Sequence, residues 1–147
     1  MGTSSAIGMK MDDGTIRAVR CNWDGYLQGV GRVLGESYSD LAKVKQLLAL
    51  GFLSSLDEKV APEPGTAHSW QHPQPGVTLA YHRDRKERLQ PAERFADQDD
   101  YELNGEGRLE ANYLYLYECS DGQGCWAVLT DEGWKDVVDL LAAEDER

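Results

Sequence analysis

The sequence predicts an α+β domain: a mainly antiparallel sheet of about five strands, with three helices segregated to one side, in the order β-β-α-α-β-β-β-α. Three observations predict it. Two runs of alternating polarity meet at Asp13-Gly14, apolar residues recur at helical spacing in two internal stretches and again near the C-terminus, and Tyr-, Leu- and Val-rich segments flank the Gly-containing turn between Cys119 and Cys125. At 147 residues the chain has the length of one ordinary domain, so a single unit spanning 1–147 is expected.

Residues 5–23 read as a β-hairpin, because Asp-Gly supplies the positive φ angles of a tight turn. If Asp12 pairs with Thr15, one face collects Ile7, Met9, Met11, Ile16 and Ala18, and the other shows Lys10 and Arg17. From Tyr26 to Tyr38, Leu27, Val30, Val33 and Leu34 follow a helical stripe, although Gly29, Gly31 and Gly35 each cost about 1 kcal/mol relative to Ala. Close packing of this helix on the sheet, or a ligand approaching its backbone, accounts for them. Ser39 is placed to cap a second helix that buries Leu41, Val44, Leu47 and Leu48 and ends before Gly51.

Pro, Gly, His and Gln dominate from Ser55 to Gly76, which reads as a loop, and His68 and His72 are loop residues on this reading. Val77 to His82 alternates as a strand, and 86–108 reads as a second irregular region. Leu109–Cys119 and Cys125–Leu129 form the last hairpin, with Tyr113, Tyr115 and Tyr117 on one face as either covered core or binding surface. In one register Cys119 and Cys125 face each other, although three cysteines and no paired motif favour reduced thiols and no metal. Thr130 is placed to cap a final helix carrying Trp134, Val137, Val138 and Leu141, and the acidic residues 144–147 are expected to fray.

Fifteen basic against 26 acidic residues give a formal charge of −11 and a pI near 4.6. That field repels DNA, RNA and anionic membranes and favours a protein partner with a basic surface. Asp97, Asp99, Asp100, Glu102, Glu106 and Glu110 form the obvious acidic cluster. No apolar run reaches the roughly 18 to 20 residues that span a bilayer, and no secretory leader is read, so a cytosolic setting is expected.

Two constellations are candidates for binding. In Cys21-Asn22-Trp23-Asp24-Gly25-Tyr26 a strand opens at once into a helix. Asp24 can accept from first-turn N–H groups while Trp23 and Tyr26 pack around the junction or form a recognition corner. His82, Arg83, Asp84 and Arg85 combine an imidazole, a carboxylate and two guanidiniums at a strand end, as an ion-pair network or an anion site. Cys21, His82 and Asp84 include the residue types of a thiol triad, but nothing in the sequence brings them together. Walker, dinucleotide, nucleophile-elbow and zincin signatures are absent, so no catalytic residue, cofactor or metal is assigned.

The first 56 residues resemble a group of short proteins encoded by bacteriophages and prophages. Those proteins open with a Ser-Ala-Ile strand, an Asp-Gly-Thr turn and a Cys-His-Trp-Asp-Gly-Tyr-Pro junction. The matching residues are Ser5-Ala6-Ile7, Asp13-Gly14-Thr15 and Cys21 to Leu27, followed by Val30-Gly31, Leu34, Tyr38, Lys43-Val44, Leu50-Gly51 and Ser54-Ser55-Leu56, with a weaker likeness at Ala80 to Arg85. Asn22 stands where the group has His, and Leu27 where it has Pro; an Asn amide is no general base near neutral pH. The resemblance implies a phage setting and a host-takeover or anti-defence role, of which anti-CRISPR inhibition is one kind. The resulting expectation is a non-catalytic acidic module that docks on a basic host protein. The alternatives are a ligand-binding protein or small enzyme with a pocket between Trp23–Tyr26 and Tyr81–Arg85, and a minor virion component.

Overall fold

In a computed structural model describing residues 2–146, the chain forms one eight-stranded mixed sheet with helices on both faces. This corrects the expected five-stranded, mainly antiparallel sheet with three helices on one side. The strands are β1 (Ser5–Lys10), β2 (Ile16–Cys21), β3 (Leu53–Ser55), β4 (Leu79–Ala80), β5 (Glu93–Phe95), β6 (Tyr113–Ser120), β7 (Gln123–Thr130) and β8 (Gly133–Asp136). They lie in the order β4-β3-β2-β1-β6-β7-β8, and β5 pairs with the first half of β2 on the edge that β3 meets at its end. β1/β6 and β2/β3 are parallel; the other pairs are antiparallel.

The first hairpin explains why the helices are not on one side. Gly14 N–H donates to Met11 O at 3.0 Å, Met11 N–H donates to Thr15 O at 2.8 Å, and Gly14 takes φ +89°. This is a three-residue turn closed by a left-handed glycine, with the Asp13 carboxylate holding Thr15 N–H at 3.0 Å. Ile16 therefore pairs with Lys10, one residue away from the expected register. Because side chains alternate, the slip sends Ile16 and Ala18 to the face opposite Ile7 and Met9. Both faces are apolar, and both are covered.

On the first face Ile7, Met9, Val19, Tyr115, Tyr117 and Trp126 meet a layer of helices. A π turn at Leu27–Gly31 leads into α1 (Arg32–Ser37), followed by α2 (Leu41–Ala49) and the C-terminal α5 (Val137–Asp145). A Cβ on Gly31 would lie 3.1 Å from the Tyr115 hydroxyl, so this glycine serves close packing of helix on sheet, whereas one on Gly29 would meet Asp24 O and one on Gly35 would meet Val137 of α5 at 3.4 Å. Tyr117 donates to Ser39 O, and Trp126 Nε1 donates to Tyr38 O at 2.7 Å. Tyr115, which donates to Gly25 O at 2.7 Å, and Tyr117 are thus covered core with satisfied polar tips, while Tyr113 at the start of β6 is half-buried.

Sequence expectation and structure differ at several caps. Asp40, not Ser39, caps α2 by accepting from Lys43 N–H, and Asp136, not Thr130, caps α5 by accepting from Asp139 N–H. Thr130 instead ends β7, and Trp134 sits on β8. Helix α5 continues to Asp145, with Arg32 reaching Asp145 at 3.0 Å and Gln28 reaching Glu144. Arg147 lies outside the described residues. Glu118 pairs with Cys125 and Cys119 with Gly124, so the two thiols point to opposite faces of the hairpin, and all three cysteines are free.

The second face is covered by α4 (Gln98–Leu109), a helix in the region expected to be irregular. Its buried residues are Tyr101, Gly105 and Leu109, one per turn, against Ala6, Ile16, Ala18 and Phe95. Tyr101 anchors it: the ring lies 5.1 Å from Phe95 and 6.0 Å from Trp134, and the hydroxyl donates to Tyr115 O at 2.8 Å. A Cβ on Gly8 or Gly105 would come within 3.0 Å of this ring, so both positions need glycine for the helix to sit this close. Tyr101→Ala is expected to cost about 3–5 kcal/mol in urea denaturation, whereas Leu103→Ala, on the outer side of the same helix, should change stability by less than about 0.5 kcal/mol.

Candidate functional site

Three groups of residues singled out in the sequence occupy distinct places. At the end of β2, Trp23 N–H bonds Ser54 O at 3.0 Å, and Asp24 turns the chain with a left-handed φ of +57°. The Asp24 carbonyl accepts from Val30 N–H at 2.7 Å. Its carboxylate, expected to cap the helix, instead meets the Tyr26 hydroxyl at 3.4 Å. Trp23 and Tyr26 stay 45% and 43% exposed, which leaves an aromatic ridge with a carboxylate on it.

His82, Arg83, Asp84 and Arg85 lie on a one-turn helix, α3 (Tyr81–Arg85), and not at the end of a longer strand, because β4 is only Leu79–Ala80. The Asp84 side chain is 3% exposed. Its oxygens accept from Arg83 Nε at 2.9 Å, Arg83 Nη2 at 3.0 Å and Ala80 N–H at 2.8 Å. Arg83 also donates to Val60 O at 2.5 Å and Thr78 O at 2.6 Å. His68 Nδ1 accepts from Gln74 N–H at 2.9 Å, which assigns its proton to Nε2, 3.2 Å from Asp84 Oδ1. Trp70 stacks between Tyr81, at 5.3 Å, and the Arg85 guanidinium, at 4.9 Å. The node therefore ties the irregular stretch 57–78 to the sheet edge. Burial alone would raise the Asp84 carboxyl, but hydrogen bonds from Arg83 and Ala80 N–H outweigh it and hold it below its ordinary value.

The first two groups do not converge. β3 runs parallel to β2 and antiparallel to β4, so Trp23 continues beside Ser54 while Tyr81 N–H returns to Phe52 O at 3.4 Å, in the other direction along the strands. A hollow of about 160 Å³ beneath Tyr81 is lined by Arg20, Phe52, Leu53, Glu87 and Gln90, with no contribution from Trp23–Tyr26. Nor do the residues of a thiol triad meet. Cys21 is buried beside Trp23 O and Ser54 O with its thiol pushed up to about 12 by burial, and His82 Nδ1 faces Glu87 O at 2.8 Å.

The third group is the acidic cluster on α4. Asp97 caps the helix through Asp100 N–H, and Asp100 accepts from Ala96 N–H at 2.8 Å and Asn104 at 2.7 Å. These bonds lower the Asp100 carboxyl, the Ala96 N–H contributing most. Two of the six carboxylates are thus structural. Asp99, Glu102, Glu106 and Glu110 are exposed and free of salt bridges among the described residues. Among them stands Leu103, 78% exposed, the barest large apolar side chain described. Nothing local in the sequence marks Leu103, because 86–108 lacks the apolar periodicity that predicts a helix. At its C-terminal end α4 approaches the aromatic ridge: Ser4 Oγ donates to Glu110 O at 2.7 Å, and Gly25 N–H donates to Thr3 O at 2.7 Å.

No protein-family model, curated protein or solved structure matches the chain. Among the described residues, no helix is long and apolar enough to cross a membrane.

Asp84→Asn is expected to cost about 3 kcal/mol at pH 7, because it removes the charge that compensates Arg83. A carboxyl lowered by folding stabilises above its unfolded value near 3.8 and loses that contribution as pH falls through its lower folded value. The gap between wild type and variant, read by denaturation at a series of pH values, should accordingly hold at neutral pH and narrow below 3.8.

Proposed function

We propose that this chain is a phage- or prophage-encoded accessory protein that acts without catalysis, docking the outer face of α4 on a basic surface of a host nucleic-acid-handling or defence protein. The observation that carries this reading is Leu103 standing bare among Asp99, Glu102 and Glu106. An exposed leucine gains nothing in the free protein. Buried in a partner, with carboxylates around it finding lysines or arginines at the rim, it supplies an apolar anchor in a field that speeds encounter. The ridge of Trp23 and Tyr26, linked to the end of α4 through the Thr3–Ser4 segment, extends the surface with aromatic side chains of the kind that dominate interface energies. A partner that normally grips nucleic acid presents the complementary charge, and its groove would be blocked.

The test is affinity capture from a bacterial host lysate, followed by titration of the captured protein. A basic partner should be retained at low salt and released as salt rises, and Leu103→Ala and a double Glu102→Gln, Glu106→Gln variant should each weaken binding about tenfold or more with the fold intact. Binding that ignores both variants and the salt concentration would contradict the proposal, as would a failure to capture any partner.

A further inference from the structure

Although the chain is acidic, several of its cations gather outside any salt bridge, around a groove that Glu87 and Glu93 also line. Among the described residues Arg17, Lys45, Arg88 and Arg94 make neither a salt bridge nor a side-chain hydrogen bond, and all four line two adjoining open cavities beside the strap formed by residues 87–92. The larger cavity, about 730 Å³, holds Arg17, Arg88, Arg94 and, paired with Glu93, Arg108. The smaller, about 350 Å³, is walled by Met9, Met11, Leu48, Leu89 and Pro91, and Arg17 belongs to both.

The two strands put like charges together. Arg17 on β2 is the direct register partner of Arg94 on β5, and both are exposed. Two guanidiniums facing each other across strands are unfavourable by themselves. An anion between them turns that repulsion into charge-assisted hydrogen bonds, and a phosphate has oxygens enough for both forks. In the adjacent hollow that shares Phe52, Glu87 and Gln90 with the larger cavity, Arg20 Nε is buried with no hydrogen-bond partner. Three residues from Arg17 on β2, Arg20 points to the opposite face of the strand, so it lies beside the groove and not in it. The strap that forms one wall of both is fastened by Phe52 N–H to Gln90 O at 3.0 Å and Glu87 N–H to Tyr81 O at 3.2 Å, and Leu89 projects from it, 40% exposed.

We propose that this groove binds an anionic amphiphile of the phosphomonoester class, its head held between Arg17 and Arg94 and its hydrocarbon body laid along Met9, Met11 and Leu48. The apolar cavity has few groups that read polar edges, so it suits an alkyl or aryl body better than a nucleobase. The site is independent of the docking face on α4. Because the protein as a whole repels anions, saturable capture of one reports the groove and not the general surface.

Calorimetric titration of the full chain with monomeric decyl phosphate, beside decanol and inorganic phosphate, tests it. One equivalent of decyl phosphate should bind, each control should bind at least about tenfold more weakly, and Arg17→Gln and Arg94→Gln should each lower affinity about tenfold without lowering the unfolding temperature. Met11→Gln should weaken decyl phosphate and leave inorganic phosphate unchanged. Equal binding of decanol, indifference to both arginine substitutions, or capture of phosphatidylglycerol vesicles without binding of the monomeric probe would overturn the proposal.

Discussion

β1 is buried on both faces, and the rest of the molecule follows from that constraint. Ala6 and Gly8 face α4, while Ile7 and Met9 face the helical layer that includes α2. A strand in that position has no side that tolerates solvent, so its register with β2 and its parallel pairing with β6 are fixed together. The three-residue turn at Asp12-Asp13-Gly14 selects that register locally, and the cross-sheet bond from Tyr101 to Tyr115 O secures it globally. Parallel pairing of β1 with β6 also requires a crossover, and here about a hundred residues, including α4, lie between the two strands.

Covering the second face takes little from α4. Three positions, Tyr101, Gly105 and Leu109, are buried, so the other three quarters of the helix are released from packing. A helix needing more contacts would have used Leu103 inward; here it points out, among carboxylates. The same economy shapes the opposite sheet edge, where β2 is met by β3 at one end and β5 at the other, and the strap between them spans a gap lined by arginines. Negative charge on the α4 surface and positive charge in the strap groove coexist in one acidic protein, so the net charge describes its long-range field but not each of its sites.

Much of the helical layer was legible in the sequence. Leu41, Val44, Leu47 and Leu48 carried α2 by spacing alone, and the left-handed Gly51 marks its end. Helix α4 was hidden because its sequence, with two glycines, an asparagine and one inward residue per turn, has almost no apolar periodicity. Spacing alone places Trp134 on a helix, since Val137 and Leu141 lie three and seven positions on, although Gly133 takes a left-handed φ that closes a β-turn before it. The hairpin register was missed for a subtler reason: two- and three-residue turns both use Asp-Gly, and only the second face, unknown without α4, discriminates between them. At the candidate sites, the residues of the Asp84 node were visible, but not its partners His68, Val60 and Thr78, which a long loop brings in from a distance. Leu103 and the Arg17/Arg94 pair carry no local motif, since each becomes distinctive only when α4 and β5 are in place.

The register of the first hairpin is accessible to nuclear Overhauser measurements. Met11 and Thr15 form a hydrogen-bonded pair, so Lys10/Ile16 and Gly8/Ala18 are non-bonded pairs whose α-protons lie close across the strands. Cross-peaks between the α-protons of Gly8 and Ala18, together with contacts from the Ile16 methyls to the Phe95 and Tyr101 rings, are the expected result. A cross-peak joining Met9 to Ala18 instead, with Ile16 methyls among Met11 and Leu48, would place Ile16 and Ala18 on the other face and contradict the two-sided burial on which the account rests.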